Sequence, residues 1–385
     1  MKVCRICGSS LNEPVYISSG PSITSVRSVC DASLSVYFCP TCLHLQKPAR
    51  EFNSQYYDSQ YRISLESAEH DQLYDKVDGK YVYRTDFQAQ LVIDATEIPV
   101  GAKILDYGAG KASTLKNVCA ERPDLKPYVF DVSDNYQTHW EDFIPAAQQA
   151  TYHVPDLWHG LFSLVTSHFV MEHVDDPLIL LSQIALLLAD DGVLFFTVPD
   201  ILKNPGDMIV TDHINHFSIK SIGTALEKAG LSLISASKEL FRGAIVCVAG
   251  RVSDSRNFDD DGTGYVERLH GIIEYWRRFD LHLIETSGRL YETPSAIFGA
   301  GVYGSYIASK ISRIVPVQCF LDNSPHLIHT THMDLPIISP TEIPESIRAI
   351  YSGLNPGIAH AVLEPLRGDG TRELIYFDEG DEGND

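Results

Sequence analysis

Apolar residues along this chain fall into short blocks of strand length and longer stretches with helical spacing, and the two kinds alternate. The order is most regular between residues 102 and 198. Ala102–Asp106 reads as a strand, Ser113–Glu121 as a helix, Pro127–Asp131 as a second strand and Leu161–Ser167 as a buried third. An apolar helix over Leu178–Leu188 and the turn Asp190-Asp191-Gly192 lead into a strand over Val193–Val198. A further helix, Ile219–Ala229, is expected to start on Ser218, whose hydroxyl can accept an amide of the first turn. Strands and helices alternating in this way predict a mainly parallel α/β sheet.

A second pattern of the same kind follows a polar, acidic stretch at 252–262 that reads as a linker. Leu269, Ile272, Ile273, Trp276, Phe279 and Leu283 put a helical stripe on Val266–Leu290. Ser295–Phe298 then reads as a strand, Gly299-Ala-Gly301-Val-Tyr-Gly304 as a glycine turn, Ser305–Ile311 as a helix and Val315–Leu321 as a strand ending at Asp322. Such a turn with an acid 18 residues beyond it suggests NAD, although the remaining chain is short for a dehydrogenase domain. The expected organisation is therefore 1–70, 71–252, 263–377 and an acidic, disordered tail at 378–385.

Candidate chemistry sits at the strand ends. Gly108 and Gly110 allow a ligand to approach the backbone, and Asp106 at the strand tip offers an acceptor. Asp131, 21 residues beyond Gly110, is placed to accept ribose hydroxyls. His168 and Glu172 follow the third strand. Downstream, Asp212-His213-Ile-Asn-His216 brings two imidazoles and a carboxylate together as candidates for a general base near neutral pH.

Eight cysteines include two CxxC pairs, Cys4/Cys7 and Cys39/Cys42. Two such knuckles supply the four thiolates of a closed tetrahedral zinc site, a structural and not a catalytic one. Cys30, between the pairs, is a bystander or a substitute ligand.

The net charge of −21 disfavours general binding to nucleic acid or anionic lipid. No apolar run of bilayer length and no secretory h-region is present, so the expectation is a soluble, cytoplasmic protein with no nucleic-acid or membrane partner. Oligomeric state is not legible.

Taken in order, ILDYGAG (104–110), FDVS (130–133), FSLVTSHFVMEHVDDP (162–177) and DDGVLFFTVP (190–199) resemble the class I S-adenosylmethionine-dependent methyltransferases. The likeness covers roughly residues 85–250, with Ala112 where a third glycine is common. It implies S-adenosylmethionine as cofactor, held by Asp106, Gly108, Gly110, Asp131, His168 and Glu172. A zinc lobe, this domain and a smaller Rossmann-like lobe, in that order, resemble the sugar C-methyltransferases, with FCPTCLHLQ (38–46) close to their style. That resemblance implies a nucleotide-linked keto sugar as the small-molecule substrate, with Gly299, Gly301 and Gly304 offering N–H groups to its pyrophosphate. It puts the catalytic base on His213, with His216 second, and Asp212 as the group that orients it. The family's Tyr-His-Glu-His run reads Val210-Thr211-Asp212-His213 here, so this is a divergent branch. The competing readings are an O-methyltransferase acting on a saccharide, an NAD-dependent enzyme and a zinc-ribbon regulator.

Overall fold

The computed structural model describes residues 2–48, 71, 73–77, 79–251, 264–368 and 370–377. The polar stretch with Tyr56, Tyr57 and Tyr61, the 252–262 linker and the acidic tail lie outside the described residues. The chain forms two compact units that interleave along the sequence: 1–12, 38–204 and 214–263 make the first, and 13–37, 205–213 and 264–385 the second.

The first unit begins with β1 (His44–Gln46) and α1 (Arg84–Ala95) and continues with β2 (Lys103–Tyr107), α2 (Ser113–Glu121), β3 (Lys126–Asp131) and β4 (Gln149–Thr151). Then come β5 (Phe162–His168), α3 (Pro177–Leu187), β6 (Leu188–Pro199), β7 (Asn215–His216), α4 (Ile219–Lys228), β8 (Ser232–Ser237) and β9 (Ala244–Gly250). Seven strands form one sheet in the order β4-β3-β2-β5-β6-β9-β8. All pair in parallel except β9, which is antiparallel to both neighbours. The order reverses beside β2, so the glycine turn after β2 opens at the switch point where such sheets bind ligands. Ile104, Val129, Leu164, Phe195 and Val246 bury one face of the sheet against Leu115 and Val118 of α2 and Val92 of α1.

The sequence reading differs from the structure at one turn here. Asp190-Asp191-Gly192 lies inside a continuous β6, and the register slips opposite it, between Phe162 and Leu164. A Cβ on Gly192 would stand 2.4 Å from the carbonyl oxygen of Phe162, so glycine lets the bulge close. At α4, Ser218 is the N-cap as expected, exchanging hydrogen bonds with Ser221 in a capping box.

In the second unit, α5 (Tyr265–Arg289) precedes β10 (Ser295–Phe298), α6 (Val302–Ile311), β11 (Val317–Leu321), β12 (Thr331–His332), β13 (Leu335–Ile338), β14 (Ala349–Ser352), α7 (Pro356–Leu363) and β15 (Glu373–Ile375). Its sheet runs β12-β13-β11-β10-β14-β15, parallel but for β12. Residues 13–37 belong here for a physical reason. Tyr16 donates to Asp280 at 2.7 Å, Ser18 meets the Tyr306 hydroxyl at 2.9 Å, and Arg27 donates to the Ala300 carbonyl at 2.6 Å. Ser22 and Ile23 likewise bond to Ile209 and Thr211 of the 205–213 segment. Among the described residues, no helix is long and apolar enough to cross a membrane.

Candidate cofactor site, cysteine cluster and histidine segment

The turn after β2 is built around backbone that few side chains tolerate. Gly108 has φ +75°, and a Cβ there would meet Val170 Cγ2 at 2.5 Å; Gly110 has φ +50° and open space around it. Ala112, at the N-cap of α2, also has a left-handed φ of 55°. Alanine in that conformation costs roughly 1–2 kcal/mol, which a glycine would not. The turn is fastened from several sides. The Phe130 carbonyl accepts from Gly108 and Ala109, Trp140 Nε1 donates to the Gly110 carbonyl at 2.7 Å, and Asp131 accepts the Gly110 amide at 2.8 Å.

Asp106 is buried at the end of β2 and accepts from the Thr166 hydroxyl at 2.9 Å. Burial pushes its carboxyl up to about 7. One residue beyond Thr166, the Ser167 hydroxyl is buried without a hydrogen-bond partner, and so is Nε2 of His168. Burial holds the His168 imidazole at about 3, so it is neutral near pH 7. Two unsatisfied polar atoms at the carboxyl end of the central strand are the signature of a place a polar ligand occupies. Together with the open space at Gly110, they fit a bound nucleoside cofactor. Glu172 is fully buried, and its carbonyl accepts the amides of Ile214 and Asn215.

The four CxxC cysteines converge. Each sulfur lies within 4.8 Å of the other three, with Cys4–Cys42 at 3.6 Å and Cys7–Cys39 at 3.4 Å. Tetrahedral zinc with bonds near 2.3 Å separates its sulfurs by about 3.8 Å, so the group matches a closed four-thiolate site. The contact between Cys4 and Cys42 lowers the Cys4 thiol and raises that of Cys42, so one proton is shared between the two sulfurs. Cys30 lies outside the group, paired with Ser22 in a two-residue strand of the second unit.

The histidine segment divides between the units. His216, fully buried on β7, belongs to the first; Asp212 and His213 belong to the second. The sequence puts Asp212 next to His213 as its orienting carboxylate. The one on its Nδ1, at 2.5 Å, is that of Asp207, while Asp212 accepts the Ser25 amide and hydroxyl, both at 2.7 Å. Nothing in the sequence of the 3₁₀ stretch at Pro205–Ile209 marks which side chain turns back toward His213.

The three glycines of the second turn have different jobs. Gly299 has φ +96°, and Gly301 caps α6 with open space around it. Gly304 sits within the first turn of α6, which starts at Val302 and not at Ser305, and a Cβ there would lie 1.8 Å from the Gly299 carbonyl oxygen. Its place is needed for close packing of helix on strand. Asp322 accepts the Ala300 amide at 3.0 Å.

Residues 82–236 match the family model of the methyltransferase domain. A 96-residue stretch is 34% identical to C-methyltransferase NovU of Streptomyces niveus, covering 24% of this chain. The chain thus spans only 23% of the length of that curated relative. Among solved structures, an S-adenosylmethionine-dependent methyltransferase from Mesorhizobium loti aligns over 42% of this chain and 97% of its own, at 13% identity and a TM-score of 0.35. The mitomycin 7-O-methyltransferase MmcR aligns over 44% and 53%, at 16% identity and a TM-score of 0.37. The chain carries an S-adenosylmethionine-dependent methyltransferase domain.

Proposed function

We propose that this protein transfers a methyl group from S-adenosylmethionine to the carbon next to the ketone of a nucleotide-linked keto sugar, with zinc on Cys4, Cys7, Cys39 and Cys42. The observation that carries the reading is the Asp207 carboxylate on Nδ1 of His213. With Nδ1–H donated to Asp207, the lone pair of the neutral ring sits on Nε2, the tautomer a general base needs. Carbon is not a nucleophile until a proton leaves it, so methylation at carbon calls for such a base. That the Streptomyces relative is a C-methyltransferase supports the same acceptor atom.

In this reading His213 Nε2 takes the proton alpha to the ketone, and the electron pair of that C–H bond becomes the enolate. Asp207 holds the imidazole in position and stabilises the imidazolium that forms. His216 is the second candidate for the base. Asp106, Asp131, His168, Glu172 and the turn at Gly108 and Gly110 hold the cofactor. Bound S-adenosylmethionine supplies an electrophilic methyl on a sulfonium, and alignment of carbon with that methyl is the main work of the site. Gly299 and Gly301 offer backbone to the pyrophosphate, and the Arg27 guanidinium on the Ala300 carbonyl adds positive charge there. Gly304, in the first turn of α6, is the third residue to offer its N–H there.

The test is transfer of labelled methyl to nucleotide-linked hexoses with and without a 4-keto group, read by product mass. Gain of one methyl on the keto sugars alone is the expected result. Transfer to sugars lacking the ketone would move the acceptor to oxygen, and cofactor binding without transfer to any would discard the sugar.

A further inference from the structure

The cysteine cluster and the segment Ile214–Ser218 are tied together within the first unit. From the first knuckle, Arg5, which stands between Cys4 and Cys7, donates its guanidinium to the Ile214 carbonyl at 3.3 Å. From the second, the Cys42 carbonyl accepts the Ser218 hydroxyl at 3.3 Å. Between these ends, β1 pairs antiparallel with β7, Gln46 opposite Asn215 and Leu45 opposite His216. The Lys47 amide adds a bond to the Ile214 carbonyl at 2.9 Å, and His44 lies against Asn215 and the Phe217 ring. The two halves of the lobe are themselves joined, since Gln46 accepts the Arg5 amide and donates to the Val3 carbonyl.

The other side of the segment reaches the loop that leaves β5. Asn215 donates its side-chain amide to the carbonyls of Met171 and Val174, at 3.2 and 2.7 Å, and the amides of Ile214 and Asn215 both bond to the Glu172 carbonyl. The cofactor turn is fastened separately, by Phe130, Asp131 and Trp140.

We propose that the metal lobe is a clamp on Ile214–Ser218, the segment that carries His216, with Arg5 as its positioning residue. Four thiolates on one ion fix the loop that carries Arg5, and Arg5 fixes Ile214 at the head of β7. Metal occupancy then sets the geometry of His216 and of the 171–174 loop while leaving cofactor affinity alone. This goes beyond a zinc that merely staples a small lobe, and it rests on the methyltransferase reading only in its turnover arm.

The experiment compares the full-length protein, zinc-loaded and chelator-stripped, with the zinc-loaded variants Arg5→Ala and Arg5→Lys. Hydrogen–deuterium exchange is read on peptides covering 214–218 and 103–131, with S-adenosylmethionine affinity by calorimetry and metal content by mass spectrometry. Arg5→Ala is expected to keep its zinc and its cofactor affinity while exchange at 214–218 speeds up about tenfold or more, because a charged donor to that backbone is lost. Arg5→Lys keeps a cationic donor and should recover part of the protection. Stripping zinc from the unaltered protein should speed exchange at the same peptide and spare 103–131. With a nucleotide-linked 4-keto hexose as acceptor, turnover should fall while KM for S-adenosylmethionine holds. Unchanged exchange at 214–218 in both Arg5→Ala and the stripped protein would overturn the proposal. So would loss of cofactor affinity in parallel with faster exchange throughout, which marks general unfolding. The exchange and calorimetry need no acceptor, so a failed sugar assignment leaves them decisive.

Discussion

Asp131 accepts the backbone amide of Gly110 at 2.8 Å, so the acid that ends β3 closes the glycine turn that follows β2. Its other oxygen accepts the Ser133 amide at 3.1 Å. Asp322 repeats the arrangement in the second unit, on Ala300 and Ser324 at 3.0 and 2.9 Å. In each unit one carboxylate orders the turn before any ligand arrives, which lowers the entropy lost on binding.

Asp131→Asn should therefore weaken S-adenosylmethionine binding by about tenfold or more, since an amide cannot accept both amides through charged oxygens. Asp322→Asn should leave that affinity unchanged. Titration calorimetry of both variants checks the pair, and equal losses would contradict the assignment of the cofactor to the first turn.

Gly304→Ala should destabilise the second unit by about 1–3 kcal/mol or more, because its Cβ would fall on the Gly299 carbonyl. Gly301→Ala, with nothing within 4 Å of the new atom, should cost less than about 1 kcal/mol. Denaturant unfolding of the two variants reads the difference.

Asp106 and His168 give stability opposite slopes with pH. The Asp106 carboxyl, raised from 3.8 to about 7 by burial, holds its proton in the folded state through a range where the unfolded chain has lost it. Stability from this group is thus full below pH 4 and declines as pH rises through about 7. Asp106→Asn should abolish that decline and gain on the unaltered protein at pH 8, by an amount on the order of 1–3 kcal/mol. His168, lowered from 6.5 to about 3 by burial, acts in reverse: its contribution is present above pH 6.5 and is lost as pH falls toward 3. His168→Gln should flatten that acid limb in urea unfolding measured from pH 4 to 7.

Asp207→Asn should cut methyl transfer to a keto acceptor by about a hundredfold or more, since an amide facing Nδ1 favours the tautomer with its proton on Nε2. Cofactor affinity should hold. Asp212→Asn should act mainly on stability, through its bonds to Ser25. Steady-state kinetics beside calorimetry separate the two; a larger loss of turnover in Asp212→Asn would return the orienting role to that residue.

Much of the first unit is legible from neighbours in sequence. The strands, the glycine turn, the acid at Asp131 and the capping serine at Ser218 all depend on residues within a few positions or one βα unit of each other. Local sterics and period decide them. At Asp190-Asp191-Gly192 and at the start of α6 the glycine marks close packing inside an element and not the break between elements that its type suggests. Composition and spacing also sufficed to predict that four particular cysteines meet, because CxxC is a local metal knuckle.

The order of residues thus carries the inventory: which segments are strands and helices, where the glycine turns fall and which four thiols come together. The partnerships between distant residues come from the folded chain. Asp207 and not Asp212 stands on His213, and Arg5 reaches Ile214 across 209 positions of chain. Residues 13–37 fold with the second unit although they lie between the two knuckles. The physical reason is common to all three. A hydrogen bond forms where backbones bring a donor and an acceptor within about 3 Å in the folded chain, and one side chain's chemistry does not specify which distant partner arrives.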